Sequence, residues 1–154
     1  MPKIYVRTLL FSTAKRGHVL ESLHAVLLGE SARCSFGIWV HGDETLVRGS
    51  GLFVGERGVS SAHHFLLPDG VDYQFESGRC TVEIYATTLG GRRAHRLWTL
   101  DLEISTEMAA ALNSRGAGVY FDWNPQSTAY DAHIDARPQT PDLPPWARDS
   151  VPSS

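Results

Sequence analysis

The sequence predicts a mainly β protein, an antiparallel β-sandwich with one or two short helices. Two observations carry most of this. Six to eight short segments alternate apolar and polar residues, the period of a half-buried strand. Between them fall Gly-, Asp- and Pro-containing turn signals at intervals of about 8–12 residues, the spacing of sandwiches and small barrels. The length of 154 residues allows one domain with a sizeable core. Residues 1–136 are read as that domain and 137–154 as a flexible, Pro-rich tail.

The first element is a strand over residues 3–11. Ile4, Val6, Thr8 and Leu10 share one face, and Tyr5, Arg7, Leu9 and Phe11 the other. "HVLESLHAVLLGES" follows. Val19, Leu23, Val26 and Leu27 fit a helical stripe, so residues 18–31 are expected to be helical, with a pair of strands as the alternative. In "CSFGIWVHGDETLVRG", Phe36, Ile38 and Val40 alternate, and a turn at His41–Glu44 returns the chain through Leu46. Leu52, Phe53 and Val54 are expected in the sheet core, with "GERG" as a hairpin turn. Pro68-Asp69-Gly70 is a turn between two apolar pieces.

"RCTVEIYATTL" alternates Cys80, Val82, Ile84 and Ala86 against Thr81, Glu83, Tyr85 and Thr87. "RLWTLDLEI" points Trp98, Leu100, Leu102 and Ile104 inward, so these are expected to share a buried face with Val82 and Ile84. Ser105 or Thr106 caps a short helix, "TEMAAALNS", and "GVYFDW" is a further strand. "YQFESGRCTVEIYA" resembles, through Phe75, Gly78, Val82 and Ile84, the late strand of immunoglobulin- and fibronectin-like sandwiches, with Cys80 in the place of their Tyr.

"GSGLFVGERGVSSAHHF", Gly49 to Phe65, resembles the region around the general base of trypsin-type serine proteases. The resemblance implies His63 or His64 as base and Asp101, in "TLDLEI", as its orienting acid. A nucleophile in a Gly-rich oxyanion turn should then follow. Ser114 is the one downstream candidate, and it lies close to Asp101 with too little chain after it for a second barrel. A hairpin accounts for the same stretch: "GERG" turns, and the two histidines open a strand on opposite faces. A hydrolase, degenerate trypsin-like or metal-dependent, is the alternative function.

The seven histidines include no His-x-His or His-x₃-His pair, so no metal or other cofactor is expected. His41, Asp43, His63 and Asp69 are the side chains that could converge at one sandwich end, where loops cluster. Arg92, Arg93 and Arg96 in "GGRRAHR" can grip an acidic partner. Trp123 and Tyr130 flank a Pro turn, either as a recognition surface or as a lid. In the tail, Trp146 after Pro144-Pro145 can anchor an extended peptide.

A net charge of −3 predicts neither nucleic acid nor a membrane as partner. No apolar run is long enough for a membrane span, and Arg7 interrupts the N-terminal one, so a cytoplasmic protein is expected. Cys34 and Cys80 should then be buried thiols. The function these residues predict is a non-catalytic binding or assembly module. It would act through sandwich edges and end loops on a protein partner or a second copy of the chain.

Overall fold

The computed structural model describes residues 2–42, 47–48, 51–114 and 117–135. The chain runs β1 (Lys3–Leu10), β2 (His18–Leu28), β3 (Arg33–Phe36), β4 (Ile38–His41), β5 (Val47–Arg48), β6 (Leu52–Val54), β7 (Val59–Leu66), β8 (Gly78–Thr88), β9 (His95–Ile104), α1 (Thr106–Asn113), β10 (Gly118–Asn124) and β11 (Ala129–Asp135). Two sheets pack together as a sandwich. The first has the order β11-β10-β1-β7-β4-β5. The second has the order β3-β2-β8-β9, with β6 also paired to β2.

Among the described strands the pairing is antiparallel with one exception. β10 lies parallel to β1, Lys3 opposite Gly118 and Val6 opposite Phe121. Parallel neighbours need a crossover connection. The chain between them crosses the second sheet as β8 and β9 and returns to the first through α1. The sandwich is therefore mixed rather than purely antiparallel.

Alternation builds the core as expected in most elements. Ile4 and Val6 of β1, Phe65 of β7, and Val119 and Phe121 of β10 are buried against Val82 and Ile84 of β8 and Leu100, Leu102 and Ile104 of β9. Val82 sits opposite Leu100 and Ile84 opposite Trp98, while Thr99, Asp101 and Glu103 face outward. α1 is where the cap signal placed it. The Ser105 hydroxyl accepts from the Met108 N–H at 3.1 Å, and Ala109 and Leu112 are buried. Cys34 and Cys80 are buried free thiols, and burial pushes both above the usual thiol range.

Three expectations are corrected. Residues 18–28 form a strand, not a helix, and β2 is a central member of the second sheet. Its pairing to β8 slips between Leu20 and Ser22, so Glu21 is an extra residue in a bulge. The inward set becomes Leu20, Leu23, Ala25 and Leu27. That spacing of three and then two residues imitates a helical stripe.

The second correction concerns residues 34–40. They are not one continuous strand, because the chain changes sheets at Gly37. β3 pairs with β2 and β4 with β7, so Phe36 and Trp39 are both buried, on different sheets. The return strand of the expected hairpin is present as β5, with Val40 opposite Arg48. In the third correction, Phe53 is not core: it is 59% exposed, although Val54 beside it is buried. No helix among the described residues is long and apolar enough to cross a membrane. Residues 136–154, Trp146 and the whole predicted tail among them, lie outside the described residues.

Candidate functional site

His63 and His64 begin as neighbours in β7, and the pleat sends them to opposite faces of the first sheet. His63 points into the sandwich and is 1% exposed. The Trp39 indole N–H donates to its Nδ1 at 3.1 Å. An indole N–H can only donate, so Nδ1 is the acceptor and the ring proton sits on Nε2. Nε2 lies 2.9 Å from the Thr8 hydroxyl, which accepts that proton's hydrogen bond. Both nitrogens of His63 are thus engaged by β4 and β1. Burial lowers its pKa to about 4, and the neighbouring His41 and His64 rings push the same way. A buried neutral imidazole in this state has no lone pair left for a substrate hydroxyl.

His64 faces outward and belongs to a row of rings across the outer surface of the first sheet. It meets Tyr5 of β1 edge-on at 4.8 Å. Tyr5 meets Tyr120 of β10 at 4.9 Å, and Tyr120 stacks on His133 of β11 at 5.4 Å. The rows follow from register, since Tyr5 is opposite both His64 and Tyr120, and Tyr120 is opposite His133. The Lys3 ammonium sits 5.5 Å from the centre of the Tyr120 ring. Burial lowers the His64 pKa to about 4, and Lys3 adds to the effect.

Asp101 joins neither histidine. It lies on the exposed face of β9, in the other sheet, and accepts a hydrogen bond from the Thr81 hydroxyl at 2.8 Å. Ser114 is the C-terminal cap of α1, its hydroxyl donating to the Ala111 carbonyl at 2.6 Å. The structure therefore does not bring His63 or His64, Asp101 and Ser114 together. Among the described residues, no three His, Cys, Asp or Glu side chains converge as a metal site.

No family model, no curated protein and no solved structure matches this chain.

The chemistry of the surface carries the functional question instead. Of the three arginines singled out above, Arg96 is tied down. It donates to the Glu83 carboxylate at 2.8 Å, and that bond holds the carboxyl below its ordinary range. Arg92 and Arg93 are exposed in the 89–94 loop between β8 and β9. Trp123 and Tyr130 pair across β10 and β11 with rings 5.4 Å apart and edge to face. The Tyr130 hydroxyl donates to the Arg7 carbonyl at 3.1 Å, where β1 has parted from β10. Trp123 stays 54% exposed.

All of these except Arg96 and Glu83 lie at one end of the sandwich, and other residues converge there. β1 ends beside the start of β7, with Leu10 opposite Val59. The Ser12 N–H donates to the Gly55 carbonyl, and the Leu89 N–H to the Val19 carbonyl. His18 pairs with Val54, and His95 with Ala86. The 11–17, 55–58, 89–94 and 125–128 loops therefore share this end. Between the sheets it opens into a cleft of about 180 Å³, walled by Leu10, Phe11, Leu20, Val54, Ala86 and Leu97, with His18 and His95 beside them.

Exposed apolar side chains concentrate at the same end. Seven large hydrophobics are exposed among the described residues, and six of them are here: Leu9, Phe11, Phe53, Leu89, Leu97 and Trp123. Only Val71 is elsewhere. Of the six, the sequence pattern singled out Trp123 alone. The available signal was positional, because Phe11 and Leu89 stand at strand ends beside turn residues, where a core side chain is not expected.

Proposed function

We propose that this protein is a non-catalytic binding module whose working surface is the loop end of the sandwich. The observation that supports it most is the gathering, among the described residues, of six of the seven exposed large hydrophobics at the end that opens into an apolar cleft, with Phe11 and Leu97 in its wall. Scattered exposed hydrophobics are ordinary, whereas a cluster at a loop end marks an interaction surface. Loops carried on a rigid two-sheet scaffold are the usual place for such a surface. The ligand presents a large apolar group to the cleft, held between the strand ends of the two sheets.

A neutral apolar fluorophore such as N-phenyl-naphthylamine tests this. The folded protein should bind it saturably, with one class of sites. A Phe11→Ser, Leu97→Glu double variant should lose that binding while keeping the wild-type thermal midpoint, since both side chains are already exposed. Absence of saturable binding to the native protein, or binding indifferent to the double variant, would overturn the proposal.

A further inference from the structure

The overall charge of −3 conceals a polarised molecule. Three loops at the apolar end, 11–17, 55–58 and 89–94, carry Lys15, Arg16, Arg57, Arg92 and Arg93 against one acid, Glu56, while the strand ends beside them add Glu21, Asp122 and Asp131. None of these five cations makes an ion pair with another described residue. The opposite end carries the reverse balance. Its loops and strand ends hold Glu30, Asp69, Asp72, Glu76, Glu103 and Glu107 around Lys3, Arg33 and Arg79. Contacts tie the loops of this end together: Ser31 donates to Glu76 at 2.8 Å, and Glu30 lies against Gly78, which is opposite Ile104.

From this arrangement we infer that the loop end docks on an anionic lipid surface. The inference rests on the binding-module reading above and names its partner. Stable attachment of a peripheral protein takes two signals, an inserted apolar group and a basic patch, and both are present at one end. Phe53 and Leu89, 59% and 69% exposed, are candidates for insertion. Trp123 suits the headgroup level, where an indole has both an apolar ring and a polar N–H. The apolar side chains and the cations are spread over several loops and strand ends instead of along one strip. A fluid surface meets such a pattern by moving its headgroups to each cation, whereas a folded partner would have to match every position at once. The acidic end then faces away from the lipid, so the polarity also orients the molecule.

Cosedimentation of the intact chain with vesicles tests this. Vesicles of phosphatidylcholine containing about a third phosphatidylserine should retain the protein, and pure phosphatidylcholine vesicles should not. Neutralising Arg92 and Arg93 together to Ala should lower the partition coefficient about 30-fold, from roughly 1 kcal/mol per cation at such a surface. Phe53→Ser should lower it about tenfold or more, the loss expected for one inserted aromatic ring. Raising salt from about 0.1 M to about 0.5 M should release the protein.

No retention by anionic vesicles, or retention unmoved by both sets of substitutions, would overturn the lipid assignment. If the neutral fluorophore still binds in that case, the binding-module reading stands and only the partner is wrong. Capture of an acidic amphipathic peptide, with no vesicle binding, would likewise overturn the lipid surface and assign this end to a protein.

Discussion

Trp39 and His63, twenty-four residues apart in sequence, are joined by a 3.1 Å hydrogen bond inside the sandwich, from the indole N–H to imidazole Nδ1. β4 and β7 are neighbours with Trp39 opposite Phe65, which puts the indole one step diagonally from the His63 ring. The bond fixes the tautomer, and with Thr8 on Nε2 it satisfies both nitrogens. A histidine that resembles a catalytic base is here a structural element holding three strands in register.

Stability should fall as the solution is acidified through the histidine range. The folded-state pKa of His63 is about 4, below its ordinary value near 6.5. Above pH 6.5 the ring is neutral in both states and the contribution is complete. Between about pH 6.5 and pH 4 the unfolded chain takes up a proton that the folded chain refuses, so stability is lost as pH falls through this window. The loss from His63 is on the order of 3 kcal/mol. His64, also lowered to about 4 but only partly buried, adds a smaller share in the same direction. Denaturant midpoints measured from pH 7.5 to pH 4 check this. An NMR titration in which the His63 ring protonates near pH 6.5 in the folded protein would contradict it.

Trp39→Phe removes the hydrogen-bond donor and some buried ring volume, and the His63 titration reports the donor's share. Phe keeps an aromatic side chain but removes the donor, so His63 Nδ1 is left buried and unpaired. The expected cost is about 1–3 kcal/mol in urea unfolding. Because the lost bond favoured the neutral imidazole, the His63 pKa should rise in this variant. A variant as stable as wild type, with an unmoved titration, would show that the contact contributes nothing.

How much of this was legible in the sequence depended on strict alternation. β8 and β9 read correctly because Cys80, Val82 and Ile84 and then Leu100, Leu102 and Ile104 keep period two. β2 did not, because the bulge at Glu21 shifts the inward set by one residue and a bulge leaves no local signature there. The opposite faces of His63 and His64 followed from the pleat alone. Their partners did not, since Trp39 and Tyr5 reach them through strand pairing that spans tens of residues. The loop end was hardest. Phe53 sits between Leu52 and Val54 in an apolar run, and only the end of the sandwich decides that it faces water.

Leu97 and Leu100 are three residues apart on β9 and should respond very differently to truncation. Leu100 is 7% exposed, opposite Val82 in the core. Leu100→Ala should cost about 2–5 kcal/mol through lost burial and the cavity left behind. Leu97 is 43% exposed at the point where the β8–β9 register slips between Ile84 and Tyr85. Leu97→Ala should stay within about 0.5 kcal/mol of wild type. Thermal or urea unfolding of both variants decides it, and equal losses would mean that the register at the bulge is wrong.

Gly17, beside the loop end, and Gly37, where the chain changes sheets, offer a paired test of the backbone. Gly17 has φ +67°, and a Cβ there would lie 2.7 Å from the Val54 carbonyl oxygen and 2.8 Å from the Phe53 ring. The ring can swing, but the carbonyl belongs to the β2–β6 pairing and cannot. Gly17→Ala should therefore destabilise by more than about 1 kcal/mol, from left-handed strain together with the clash. It should also weaken fluorophore binding, because the same backbone sets the edge of the cleft at Val54. Gly37, where the chain changes sheets, has an ordinary φ and open space where a Cβ would go. Gly37→Ala should be neutral or stabilise by about 0.4–1 kcal/mol, because it restricts the unfolded chain at no cost to the fold. Unfolding midpoints measured side by side check the pair, and a loss at Gly37 equal to that at Gly17 would mean that the sheet change at residue 37 needs a conformation only glycine adopts.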